Sequence, residues 1–535
     1  MNTKQYPLLR GYDTAARDTV DAFLARPALD MDEEANRKML DDLQANILKH
    51  HNKTYAEHFF ITFSVGKTEE VKKWLARIAQ KTTNAREQLL NGHKDNTNIL
   101  CVYLTYAGYE YLGFPDNIIP EGLAFKMGLL NRVKLGKDAL QDELSDSRQV
   151  HAILLYAYDK PKLVGKRKSQ LESDLADIMD DLKPLEKRPA FVQTGTLRNP
   201  LPQEYHFKEG AGNPRFFPGV SPVSSHVPLK PSEIAPLNLV LVQDRGGNHP
   251  HSCGSFGAFM KLDINEGAMH QLEDEIAAKA AANNLKINKE LAKAGIVGRF
   301  IDGTPLSLSE RPTHNNTNDF DFGELVKVKR ARGMQNDDAG SRCPFHAHIR
   351  KANPRLPDAQ DIRIVRRGVF YKEEKTQEKG LLFFSFQNSL ESKFEFILNN
   401  WMLNRYAHSR DAAGNLISVE TGQDILFSQA HTEYKIPAVW NEKKDKKDVR
   451  YISITVPEQI ITLKGGLYFF APSRSFFSKL VRPPKVEHRT VQRPPKSRFI
   501  PGTVISIKKA PESGRKSQFI ANTEIIFEYL PNGHE

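Results

Sequence analysis

The sequence predicts an α+β fold built as two similar halves in series. Three observations carry this. Stretches rich in β-branched and aromatic residues alternate with stretches whose apolar residues recur three and four apart. The same rhythm of strand, helix, strand and strand-like return runs through both halves of the chain. At 535 residues the chain is too long for one ordinary core, so two or more domains are expected.

Residues 1 to about 40 are mildly acidic and amphipathic, a helical N-terminal extension. "AEHFFITFSV" (56–65) alternates and carries aromatic residues, the mark of a strand. "EEVKKWLARIAQ" and the stretch around "AREQLLNG" follow as helices, and "NTNILCVYLTYAGYEYLG" as a strand running into a helix. "HAILLYAYD" (151–159) is a further strand, and "SQLESDLADIMDDLKPL" a helix with one apolar face. That order is the order of a ferredoxin-like unit, an antiparallel sheet with helices packed on it. In the second half "LNLVLVQD" and "GSFGAFMKLDI" read as strands and "MHQLEDEIAAKAAANN" as a helix. "IRIVRRGVFY" and "GLLFFSFQNS" read as strands, "LESKFEFILNNWMLN" as a helix, and "ITLKGGLYFFAPSRSFF" closes the unit.

The composition, 39% apolar and 26% charged, is that of a soluble globular protein. No apolar run approaches the roughly 20 residues a bilayer demands, and the N-terminus shows no secretory signal. Three cysteines far apart (Cys101, Cys253, Cys343) make neither a disulfide framework nor a paired-cysteine metal site. A cytoplasmic location is expected. Of the net charge of +11, residues 479–516 carry +9 (eleven Lys/Arg against two Glu), in a stretch with two Pro-Pro pairs. The charge therefore describes an appendage: either a solvated arm or one that meets nucleic acid or another polyanion.

"CPFHAHIRKANPR" (343–355) sets His346 and His348 two positions apart. On a strand both rings would point to the same face. Such a pair serves a metal, or is simply two polar residues on a wet sheet face, and spacing alone leaves both readings open.

Taken together and in order, several stretches resemble the dye-decolourising peroxidase family in its longer subtypes. "LQANILKHHNKTYAEHFFITF" is similar to the family's opening segment, with Ala45 where Gly is usual, and "GSFGAFMKL" to its Gly-Ser-Phe strand. "VGRFIDGTPL" resembles its Gly-Arg turn, "RCPFHAHIRKANPR" its haem-ligand segment, and "GLLFFSFQNSLESKFEFI" and "LKGGLYFFAPS" its closing strands. The resemblance covers roughly residues 41–475. It implies a first domain over 41–222, a haem-binding domain over 223–475, and a basic extension over 476–535.

The resemblance implies haem b as cofactor and His348 as the iron's proximal ligand, with His346 in place of a small residue. A ligating imidazole needs an acceptor for its other N–H. Asp424, in "TGQDILFSQ", resembles the family's Asp-containing turn and is the candidate; an Asp that caps a loop is the alternative. Arg366 matches the family's distal arginine, and Arg367 should face the other way. The family's Gly-x-x-Asp-Gly motif becomes "HFKEG" here: His206 stands at the first Gly, Glu209 at the Asp, and Gly210 is retained. Glu209, helped by His206, is thus the candidate acid/base, whereas the Asp302-Gly303 pair in "FIDGTP" is a decoy. Strand alternation places Leu382, Phe384 and Phe386 on one face, as distal wall or as ordinary core. The activity implied is reduction of hydrogen peroxide and one-electron oxidation of aromatic dyes or phenols. The alternative is a haem-binding protein with little turnover, because Glu209 replaces the family aspartate. No membrane partner is expected.

Overall fold

The chain's computed structural model describes residues 14–26, 30–91, 98–159, 170–208, 212–217, 234–320, 322, 337, 340–355, 361–410, 416–437 and 451–481. Its strands are β1 Tyr55–Ile61, β2 Ile99–Leu104, β3 Ala152–Tyr158, β4 Phe191–Thr196, β5 Val242–Gln243, β6 Cys253–Ile264, β7 Val365–Arg366, β8 Val369–Lys372, β9 Lys379–Gln387, β10 Tyr406–Arg410, β11 Leu416–Glu420, β12 Glu433–Pro437, β13 Tyr451–Thr455 and β14 Ile461–Ala471.

Two ferredoxin-like sheets emerge from the pairing. In the first half the order is β2-β3-β1-β4, and in the second β14-β6-β9-β8, with β7 also on β9. Both read fourth, first, third, second or its reverse, the arrangement of a ferredoxin-like unit. Every pairing is antiparallel, and the register is well fixed: Phe60 lies opposite Ile153, and Phe259 opposite Phe384. The sheets touch edge to edge through single residue pairs, Phe470 with Leu104 and Thr196 with Phe370. Together they form one ring of strands.

A ring has an inside and an outside, and alternation sorts the side chains between them. Phe60, Tyr103, Leu155, Phe259, Phe384 and Phe469 form the inner core. Phe59, Val102, Leu154, Met260 and Tyr468 face outward and are covered by helices that include Thr68–Lys81 and Leu390–Met402. Residues 1–40 are less separate than the sequence suggested. Helices Thr14–Ala25 and Glu34–Asp42 bury Val20, Leu24, Met39 and Leu40 in the inner core.

Local chemistry explains where the helices of the second half start and stop. The Asn265 side chain accepts from Ala268 N at 3.0 Å and starts Glu266–Ala282; Asn288 accepts from Leu291 N at 2.8 Å and starts Lys289–Val297. Gly298, at φ +97°, stops the latter. Two readings shift. "LNLVLVQD" forms a 3-10 turn, Leu237–Leu239, before the two-residue β5, and "IRIVRRGVFY" is split into β7 and β8 around Arg367-Gly368. Most of the basic extension, residues 482–535, lies outside the described residues. Among the described residues all three cysteines are buried and unbridged, and no helix is long and apolar enough to cross a membrane.

Candidate functional site

His348 is not on a strand. A turn over residues 345–347 leads into the short helix His348–Ala352, with His348 as its first residue. The strand reading fails because Pro344 and the turn's anchor dictate otherwise. Asp337 accepts from the backbone N–H groups of Arg342 and Cys343, both at 2.9 Å, and from the Arg350 guanidinium at 3.0 Å. Arg350 also donates to the Asp337 and Cys343 carbonyls and lies between the Phe322 and Phe345 rings, 4.6 and 4.2 Å from their centroids. Asp337 and Arg350 are both almost fully buried, so the turn that presents His348 is fastened from two sides. Gly298 contributes by absence: a Cβ there would stand 2.3 Å from the Ile349 side chain.

Asp424 meets His348 as expected. Its Oδ2 lies 2.7 Å from His348 Nδ1, and the carboxylate is fully buried while the imidazole keeps about a third of its surface, 33%. The capping alternative holds as well, since Oδ1 accepts from Leu426 N at 3.1 Å and starts the 3-10 turn Ile425–Phe427. One carboxylate does both, one oxygen each. The Ile425 N–H donates to the His346 carbonyl at 3.1 Å, which ties the two segments directly.

His346 is buried and does not lie on a wet sheet face. It is 2% exposed, its ring meets Tyr434 edge-on at 5.4 Å, and its Nε2 finds no partner among the described residues. Burial pushes its pKa down to about 3, so it is neutral.

Arg366 lies on β7, exposed, opposite Ser385 of β9, and its backbone N–H donates to Asn213 Oδ1 at 2.8 Å. Opposed residues share a face, so Arg366 shares one with Ser385, Phe383 and Leu381. Arg367 faces inward and is 3% exposed, as alternation required. Leu382, Phe384 and Phe386 are 0%, 1% and 0% exposed in the inner core. They do share one face, but it is the face opposite Arg366, so the core alternative describes them and the wall beside Arg366 belongs to Leu381 and Phe383. Those two are half-buried against the outer cluster, which also takes in Ala352 of the His348 helix.

His206 is exposed, and its Nε2 pairs with the Leu201 carbonyl at 2.8 Å. Glu209 and Gly210 lie outside the described residues. Asp302 has both oxygens engaged by backbone, from Thr304 N at 2.9 Å and His314 N at 2.6 Å, which suits a turn-former. Trp74 is a core residue whose Nε1 donates to the Ile178 carbonyl at 3.0 Å.

The residues fit a haem. An imidazole whose Nδ1 is fixed by a buried carboxylate offers its other nitrogen as a ligand. Half-buried apolar side chains (Ile349, Ile362, Ile364, Leu381, Phe383, Leu426) stand on the elements around it, as a flat hydrophobic disc requires. No cluster of three or more metal-ligating side chains exists among the described residues. Asn213, Asp337, Arg350, Leu381 and Phe383 were not singled out from the sequence. Only the last two left a signal there, as the alternate members of β9.

Comparison with known proteins agrees. Residues 313–428 match the family model described as Dyp-type peroxidase, C-terminal. The chain is 29% identical to the multifunctional dye peroxidase DyP2 of an Amycolatopsis species, over 83% of this chain and 96% of that one. It is 24% identical to a dye-decolorizing peroxidase of Mycena epipterygia, over 87% and 92%. A solved DyP-type peroxidase from an Anabaena species superposes with a TM-score of 0.69 at 28% identity, covering 86% of this chain and 99% of that one.

Proposed function

From the premise that the chain belongs to the dye-decolourising peroxidase family and is a peroxidase of two ferredoxin-like domains, we propose that it binds haem b in its second half, residues 223–475, and oxidises small aromatic molecules one electron at a time. The observation that carries this is the 2.7 Å contact between His348 Nδ1 and the buried Asp424 carboxylate. A buried acid fixing one imidazole nitrogen sets the tautomer and makes the other nitrogen a better electron donor.

Haem, when bound, supplies the redox-active iron. The chain's own residues do the rest. His348 would hold the group through Nε2, Asp424 orients His348, and Leu381 and Phe383 would supply apolar packing for it. Arg366, registered by Asn213, offers a permanent cation to charge developing on the leaving oxygen of hydrogen peroxide. Glu209, assisted by His206, takes a proton from one peroxide oxygen and returns it to the other.

The test is the visible spectrum of the purified, haem-supplied chain before and after one equivalent of hydrogen peroxide. A histidine-ligated spectrum that changes within milliseconds, and does so orders of magnitude more slowly in Arg366→Leu, supports the reading. A histidine-ligated spectrum that peroxide leaves alone would instead indicate a haem-binding protein whose glutamate does not replace the family aspartate. In that comparison Glu209→Asp should raise the rate and Glu209→Ala lower it.

A further inference from the structure

Behind Arg366, on the inward side of its strand, lies a cavity of about 40 Å³ whose wall includes Arg367, Arg215, Lys49 and Asn213. It has an unusual charge balance: two arginines and a lysine, and no carboxylate among its described lining residues. Arg367 sits in it almost fully buried. Its guanidinium donates to the carbonyls of Asn46 (2.8 Å), Ile47 (2.6 Å) and Arg366 (2.8 Å), and among the described residues no acid pairs with it. Burial, with Arg366 as a like-charged neighbour, pulls its pKa down to about 9 against the pull of Tyr103, so it remains a cation at neutral pH. Arg215 is half-buried, and its side chain makes no hydrogen bond or ion pair among the described residues. His50 adds no charge: its Nδ1 accepts from Asn52 N at 2.9 Å, and burial pushes its pKa down to about 4.

A buried charge without a counter-charge is costly, and three donors satisfied by carbonyls do not neutralise it. We propose that this cavity is a binding site for a small monocarboxylate of formate or acetate size, held by Arg215 and Arg367. Size and wall chemistry select that class. At ~10–15 Å³ per water-sized occupant the space takes about three heavy-atom positions. Guanidinium planes suit a planar carboxylate, and the apolar remainder of the wall (Leu48, Phe216 and Phe217 among others) suits a methyl group. A halide would use the charge and leave the apolar wall without a partner. Asn213 joins this site to the one already described, because its side chain both lines the cavity and accepts from the Arg366 N–H.

The site does not depend on the peroxidase reading, and its test does not measure activity. The full chain, with and without added haem, is titrated with sodium acetate at constant ionic strength while the melting temperature and the line width of ¹³C-acetate are followed. Saturable stabilisation and line broadening are expected in both forms, with the haem absorption unmoved. Arg215→Gln should weaken the binding about tenfold or more, and Arg215→Lys only partly. Three results would overturn the proposal: no saturable response, an equal response to chloride, or binding that Arg215→Gln leaves intact. An acetate-dependent shift of the haem band, absent from the haem-free chain, would place the anion at the iron instead.

Discussion

His348 and Asp424 show how one buried carboxylate can be asked for two things at once. Oδ2 holds the imidazole and Oδ1 caps the following turn, so substitutions can separate the roles. Asp424→Asn keeps a cap and a polar neighbour but removes the charge. It should leave folding nearly unchanged while weakening haem retention or peroxide turnover ~10–100-fold. Asp424→Ala loses the cap as well and should cost a further ~1 kcal/mol of stability, read by denaturant unfolding beside haem titration. If the two variants behave alike in both assays, the division of labour is wrong. His348→Ala should abolish a histidine-ligated spectrum altogether. The sequence made both residues legible because each stands in a short, distinctive stretch. It hid the local conformation, since a His-x-His spacing looks the same on a strand as in a turn. Here the turn is fastened by Asp337, which grips Cys343 and Arg350 on either side of His348 but is marked by nothing around it in the sequence.

At the scale of the element, β9 is the informative case. Period-two alternation correctly grouped Leu382, Phe384 and Phe386, yet which group faces the pocket depends on how two distant sheets close into a ring. The local pattern leaves it open, because one face is Leu382, Phe384 and Phe386 while the other begins with Leu381 and Phe383 and turns polar only at Ser385 and Gln387. The consequence is measurable in neighbouring residues. Phe384→Ala empties a site in the inner core and should cost ~3–5 kcal/mol in denaturant unfolding, with little direct effect on haem transfer to a competing apoprotein. Phe383→Ala, on the half-buried outer face, should cost less stability and speed haem loss. The reverse ranking would return the wall to the inward-facing set.

At the scale of the whole molecule, the ring's interior holds histidines that must stay neutral. His58 is 3% exposed, lies 5.6 Å from the Phe384 ring, and has its Nδ1 3.4 Å from the Gln193 carbonyl. Burial pushes its pKa from 6.5 down to about 4, despite that carbonyl. His51, 5% exposed, is driven down in the same direction by burial and then by its neighbours His50, His58 and Arg367. The unfolded chain protonates such residues near pH 6.5 and the folded chain does not, so below that pH the unfolded state binds more protons. Stability therefore rises with pH between about 4 and 6.5, and is lost as pH falls through that window. Each histidine that stays neutral contributes a slope of up to ~1.4 kcal/mol per pH unit. Burial pushes the carboxyls of Asp244, Asp263, Glu273 and Asp337 up, which opposes this slope, so the histidine share is read as a difference between variants. Denaturant unfolding of the full chain at pH 7, 6 and 5 should show stability falling most steeply over the last step. His58→Phe, which keeps an aromatic ring beside Phe384, should make that step shallower by about one histidine's share. An unchanged slope would mean that His58 takes up its proton inside the folded ring, and that the space between the sheets is wetter than its packing implies.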